Sequence, residues 1–138
     1  MEDAELDGLY FWFWKVRVDE PIVGLVPDNR VLRVLLVGMD EHCVRVRYVI
    51  EPPVDHGWVR QYPMLGWLVS GRDDSGTEYV DAGGAIGQSR DGRRTIGTRS
   101  LTPLPPAGAK CLDLAFHRIE TVPGAPPHHT LRIHIPSW

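Results

Sequence analysis

Apolar and polar residues alternate with a period of two over much of this 138-residue chain. Val44, Val46, Tyr48 and Ile50 share one side of an extended segment, and Cys43, Arg45 and Arg47 share the other. Leu112, Leu114 and Phe116 repeat the pattern against Cys111 and Asp113, and Leu131, Ile133 and Ile135 repeat it against Arg132 and His134. One apolar and one wet side per segment is the mark of antiparallel strands. The pattern predicts strands near residues 9–18, 30–38, 42–51, 64–71, 77–81, 94–102, 110–118 and 129–135, separated by turn residues such as Asp73-Asp74-Ser75-Gly76 and Asp91-Gly92. Helices are not expected. The 12 prolines and 14 glycines break nearly every window, and no segment sustains i, i+3, i+4 apolar spacing. Seven or eight short strands point to one all-β domain over residues 1–138, two antiparallel sheets packed face to face as a β-sandwich. A small closed β-barrel is the alternative, because counting strands does not separate the two.

The segment "GLYFWFWKVRVDE", Gly8 to Glu20, strains this alternation. Val16 and Val18 point one way, and Lys15, Arg17 and Asp19 the other. Carried upstream, the same register sends Tyr10, Trp12 and Trp14 into the core and leaves Leu9, Phe11 and Phe13 on the side of the charges. A large aromatic side chain buries ~150–250 Å². Leaving that trio half-exposed forfeits on the order of 5 kcal/mol at ~25 cal/mol per Å². An apolar strip on an edge strand also invites aggregation. A cover is therefore expected: a bulge or the loop over residues 52–64, a second subunit or other protein, or a small-molecule or glycan ligand.

Composition narrows the classes. At 43% hydrophobic and 24% charged residues the chain is an ordinary globular one, long enough to bury a core without staples. A formal net charge of −3 favours neither nucleic acid nor an anionic membrane as partner. Lys15 and Lys110 are the only lysines among the 15 basic residues, which fits a genome rich in G and C. The start, "MEDAELDGLYFWFWKV", is acidic where a secretory signal is basic, and no run reaches the length of a membrane span. A cytoplasmic protein is expected. The order Cys43…Trp58…Cys111 matches the framework of antibody domains, but alternation turns both thiols away from the core, where no inter-sheet bridge can form. Two free thiols are expected.

The most specific segment is "LGWLVSGRDDSGTEYVDAGGAIGQ", followed by "GTRSLTPLPPAGAKCLDLAFH". It reads as a hairpin whose turn aspartates bond their own downstream backbone, then a proline-rich connection and a core strand. Asp73, Asp74, Gly76, Thr77, Tyr79, Gly83 and Gly84, with Pro103, Pro105, Pro106, Ala109, Leu112 and Leu114, resemble the pattern of a group of small bacterial proteins, most of them uncharacterised, over about residues 40–118. The resemblance implies an immunoglobulin-like β-sandwich and supplies no catalytic residues.

Chemistry is sparse. His128, His129 and His134 lie close in sequence with His117 on a neighbouring strand, but adjacent His128 and His129 diverge when extended, and surface histidines are expected rather than a metal centre. No Gly-x-Ser-x-Gly elbow exists, and His42 and Cys43 diverge as strand neighbours. Carboxylate pairs such as Asp73-Asp74 fall at turns, and the run "GGAIGQ" opens no helix that would cradle phosphate. Arg90, Arg93, Arg94 and Arg99 gather on what reads as a solvated hairpin. The expectation is a module that is not an enzyme, with no cofactor, contacting a protein partner or a second copy of itself through Leu9, Phe11 and Phe13. The alternative is a small-molecule or carbohydrate site on loop aromatics, with Trp58 and Tyr62 as the platform.

Overall fold

The computed structural model describes residues 11–55, 66–119 and 124–137. They form eight strands and no helix: β1 (Trp14–Val23), β2 (Val31–Met39), β3 (Val44–Glu51), β4 (Trp67–Asp73), β5 (Glu78–Gln88), β6 (Thr95–Thr102), β7 (Cys111–Arg118) and β8 (His129–His134). Every ladder is antiparallel, and the strand order is β1-β2-β3-β6-β5-β4-β7-β8. The sheet curls until its first and last strands meet.

This continuous, nearly closed sheet fits the barrel alternative better than two separate sheets. The physical reason is β5. Its first residues pair with β4, Gly71 opposite Tyr79 and Arg72 opposite Glu78, while residues from Val80 to Gln88 pair with β6. A bulge between Asp81 and Gly84 bends the strand from one partner to the other. Further bulges, between Arg17 and Glu20 in β1 and between Val34 and Leu36 in β2, add to the curl. No helix of the described residues is long and apolar enough to cross a membrane.

Alternation determines what lies inside. Val44, Val46, Tyr48 and Ile50 of β3 join Trp67 and Val69 of β4, Leu112, Leu114 and Phe116 of β7, and Ile133 of β8 in one buried cluster. Trp67 stands at its centre, its ring edge-on to Tyr48 at 5.1 Å and tilted against Phe116 at 6.0 Å. Gly97 of β6 lies opposite Tyr48, and a Cβ there would stand 2.5 Å from the phenol ring. Only glycine leaves room for that ring.

Three local expectations change. β1 starts at Trp14 rather than near residue 9 and continues through Pro21 to Val23. As an end strand it tolerates a residue without an N–H. β5 runs to Gln88 rather than stopping near residue 81, through glycines that carry no local strand signal. Cys43 is buried beside the Asp40 turn just ahead of β3, not turned out to solvent, and both cysteines are free.

Candidate functional site

The aromatic start of the chain is the first candidate. The Phe13 N–H donates to the Met39 carbonyl at 2.8 Å, which prolongs the β1–β2 pairing. Trp14 enters the core. Trp12 does not follow it, contrary to the parity expectation. The chain bends at Phe13, and the Trp12 indole lies over Gly38 on the outer face, where a Cβ would stand 2.5 Å from the ring. The Arg47 guanidinium sits 6.0 Å from the same ring. Arg47, Leu36 and Thr98 are all buried although the register points them outward. Trp12 thus supplies part of the cover for this face. Phe11 and Phe13 stay outside, 69% and 44% exposed, their rings edge-to-face with centroids 5.4 Å apart. Leu9, Trp58 and Tyr62 lie outside the described residues.

The second candidate is the outer face of β4, β7 and β8. Ser70, Ala115 and Thr130 form a row of small residues across the three strands. With Arg72, Asp113 and Arg132 they line a depression of about 530 Å³. Ser70 Oγ lies 3.2 Å from His117 Nε2. Arg132 grips Asp113 with two hydrogen bonds, 2.7 and 3.1 Å, and Arg72 pairs with Glu78 at 2.8 Å. The Arg132 contact outweighs the modest burial at Asp113 and holds its carboxyl below the usual range. One row further on, Cys111 Sγ lies 3.6 Å from His134 Nδ1.

Two nucleophile–imidazole pairs therefore share one face. Both sit on laddered strands, whose backbone N–H groups run in the plane of the sheet rather than towards the side chains. The guanidinium groups of Arg72 and Arg132 beside Ser70 pair with Glu78 and Asp113. The histidines that lie close in sequence or on neighbouring strands take separate partners: His117 meets Ser70, His128 the Val23 carbonyl, His129 Glu20, and His134 Cys111. Among the described residues no three His, Cys, Asp or Glu side chains converge on a metal position. Nothing in the order of residues marked the Ser70–His117 and Cys111–His134 pairs. Both depend on cross-strand register, which placed Leu68 opposite His117 and Cys111 opposite His134.

Two further clusters are architectural. Inside the barrel, Arg99 lies 3.6 Å from Asp81 and its guanidinium 5.1 Å from the Trp67 ring centroid. Asp81 also accepts the Val69 and Gly83 N–H groups at 3.2 and 2.8 Å. Arg99 therefore does not belong with Arg90 and Arg93 on the exposed hairpin, because β6 turns Thr95, Gly97, Arg99 and Leu101 inward opposite β3. Burial pushes the neighbouring Tyr48 phenol up to about 12, with Arg99 and Asp81 acting in opposite senses. At the turn after Met39, Asp40 accepts the His42 and Cys43 N–H groups at 2.8 and 2.9 Å and pairs with Arg45. Burial opposes ionisation there, but those contacts together keep the Asp40 carboxyl below its ordinary value. Burial raises the Cys43 thiol.

No family model, curated protein or solved structure matches the chain.

Proposed function

We propose that this protein is a non-catalytic β-module that acts through protein–protein contact, with Phe11 and Phe13 in the contact and a second copy of the chain as the simplest partner. One observation carries the reading. In a run of five aromatics, Tyr10 to Trp14, Trp12 and Trp14 find cover within the molecule, whereas Phe11 and Phe13 stay exposed with their rings edge-to-face. In this proposal the fold is an immunoglobulin-like relative, with β1–β2–β3–β6 and β4–β7–β8 as two halves joined through β5. A cytoplasmic setting, with both thiols reduced, completes the proposal.

A second reading, a small-molecule site, draws support from the depression over Ser70, Ala115 and Thr130, whose volume is that of a ligand cleft. It ranks lower because Ser70, Arg72 and Arg132 already hold His117, Glu78 and Asp113, bonds a ligand must displace.

Sedimentation velocity of wild type and Phe11→Asp tests the contact reading. The wild type is expected to associate reversibly and the variant to sediment as a monomer with an unchanged melting temperature. Monomers in both samples, at the highest concentrations reached, would remove self-association through Phe11.

A further inference from the structure

Cys111 opens β7 directly opposite His134 of β8, and both side chains stand on the outer face, since Leu112 and Ile133 beside them are buried in the core. Opposed residues of an antiparallel pair have Cβ atoms about 4.5–5.5 Å apart, close enough for two side chains to meet at one point. Here they do: Cys111 Sγ lies 3.6 Å from His134 Nδ1. Cys111 is half-buried and His134 exposed, so that point faces solvent. The backbone beneath is held firmly. Asp74 Oδ1 accepts the Cys111 N–H at 3.1 Å, the Asp74 N–H donates to the Cys111 carbonyl at 3.2 Å, and the Ile135 N–H donates to the Lys110 carbonyl at 2.8 Å.

The separation of sulfur and nitrogen has a meaning beyond a hydrogen bond. A zinc ion holds thiolate sulfur at about 2.3 Å and imidazole nitrogen at about 2.0–2.1 Å, and at the tetrahedral angle those bonds set the two atoms about 3.5–3.6 Å apart. Sγ and Nδ1 already stand at that spacing. With the ring hydrogen on Nε2, the thiol donates to Nδ1 in the metal-free protein, and an ion takes the place of that proton. Thiolate and imidazole suit zinc over the harder magnesium or calcium. The pair supplies only two ligands, and among the described residues no third His, Cys, Asp or Glu converges with them. A structural zinc site takes four.

A twofold axis through the ion brings the missing two from a second copy. The surface beside the pair does not oppose that approach. Glu78, Arg72, Asp113 and Arg132 lie opposite one another in a row across β5, β4, β7 and β8, alternate in sign and sum to zero. Such a row can face its own copy without net repulsion. We propose that Cys111 and His134 are half of a zinc site that two copies of the chain complete, each contributing one thiolate and one imidazole. Coordination forms two Zn–S and two Zn–N bonds, transfers no electrons, and sends the two thiol protons to solvent. Binding therefore weakens as pH falls. A second copy is the partner here, as in the contact reading, but the metal site needs neither Phe11 nor Phe13.

Cobalt(II) is the probe, because its tetrahedral thiolate complexes show visible ligand-field bands and a near-ultraviolet charge-transfer band. The full-length chain, reduced with a phosphine and cleared of metal with a chelator, is titrated with cobalt and followed by absorbance and sedimentation velocity. Phe11→Asp is the parent, so that association through the aromatic pair does not contribute. Saturation is expected at one cobalt per two chains, with a dimer forming in step with the bands and zinc bleaching them by displacement. Cys111→Ser and His134→Ala should each lose the bands and the metal-dependent dimer. Absence of tetrahedral bands, their survival in His134→Ala, or saturation at one cobalt per monomer overturns the proposal. A metal-dependent dimer of Phe11→Asp supports the site even where the aromatic contact fails.

Discussion

A single carboxylate organises the segment that drew attention in the sequence. Asp73 Oδ1 accepts the Ser75 N–H at 2.9 Å, the Ser75 hydroxyl at 2.6 Å and the Thr77 N–H at 3.0 Å, while Oδ2 accepts the Tyr79 hydroxyl at 2.6 Å. Asp74 faces the other way and takes the Lys110 and Cys111 N–H groups, tying the turn to the start of β7. The adjacent aspartates therefore do different jobs, one inside its own turn and one across strands. Asp73 and Tyr79 are both buried. Asp73→Ala strands the phenol hydroxyl and the Ser75 and Thr77 N–H groups without that acceptor, so a loss of about 2–3 kcal/mol is expected in urea unfolding. Asp74→Ala, at an exposed position, should cost distinctly less. Equal losses in the two variants would show that burial is not what makes Asp73 matter.

At the scale of elements, all eight strands were legible, because alternation and turn chemistry are local signals that the fold obeys, but β1 and β5 are centred at or beyond the ends of their predicted ranges. Their ends and facings were less so. Trp12 departs from parity because the chain bends at Phe13, a bend that only the Gly38 surface explains. Arg99 reads as a hairpin charge until β6 is paired with β3, since its partner Asp81 comes from another strand beyond a bulge. The exposed pair was legible: exposure of Phe11 and Phe13 followed from the alternation of Lys15 and Arg17. The contact of His129 with Glu20 was not, because it spans 109 residues of sequence. That contact makes a prediction of its own. His129→Ala should lower global stability by no more than about 1 kcal/mol. It should nevertheless speed hydrogen exchange locally, at amides of β8 and at residues 20–23 of β1. Unchanged exchange there would assign closure of the barrel to core packing by Ile22 and Phe116 rather than to the imidazole.

Taken as a whole molecule, the protein is bounded by ionisation on both sides of neutrality. Asp40, Asp73, Asp74, Asp91 and Asp113 all have carboxyls below their ordinary range. At Asp73 burial works against the charge, but bonds from Ser75, Tyr79 and Thr77 outweigh it, and at Asp74 the Lys110 and Cys111 amides dominate. Unfolded aspartate titrates near ~3.9. Below that value the unfolded chain takes up protons before the folded one does, so the stability these groups contribute is complete above about pH 4 and drains away as pH falls through their folded values. The phenols act in the opposite direction. Burial, the largest cause in each, raises Tyr48 to about 12 and raises Tyr79 as well, where the Asp73 carboxylate adds to the effect. Unfolded tyrosine ionises near ~10. Stability held by neutral buried phenols is therefore complete below about pH 10 and is lost as pH rises towards their folded values. Thermal melts from pH 2 to 11 should trace a plateau between those limits with a fall on each side. Tyr48→Phe should flatten the alkaline fall, and Asp40→Asn, whose carboxylate acts on neither phenol, the acid one, each leaving the opposite limb in place. A melting temperature that holds level down to pH 2 would mean that the turn carboxylates keep their bonds in the unfolded chain, and a shared response of both limbs to either variant would mean that the two ends of the barrel do not titrate independently.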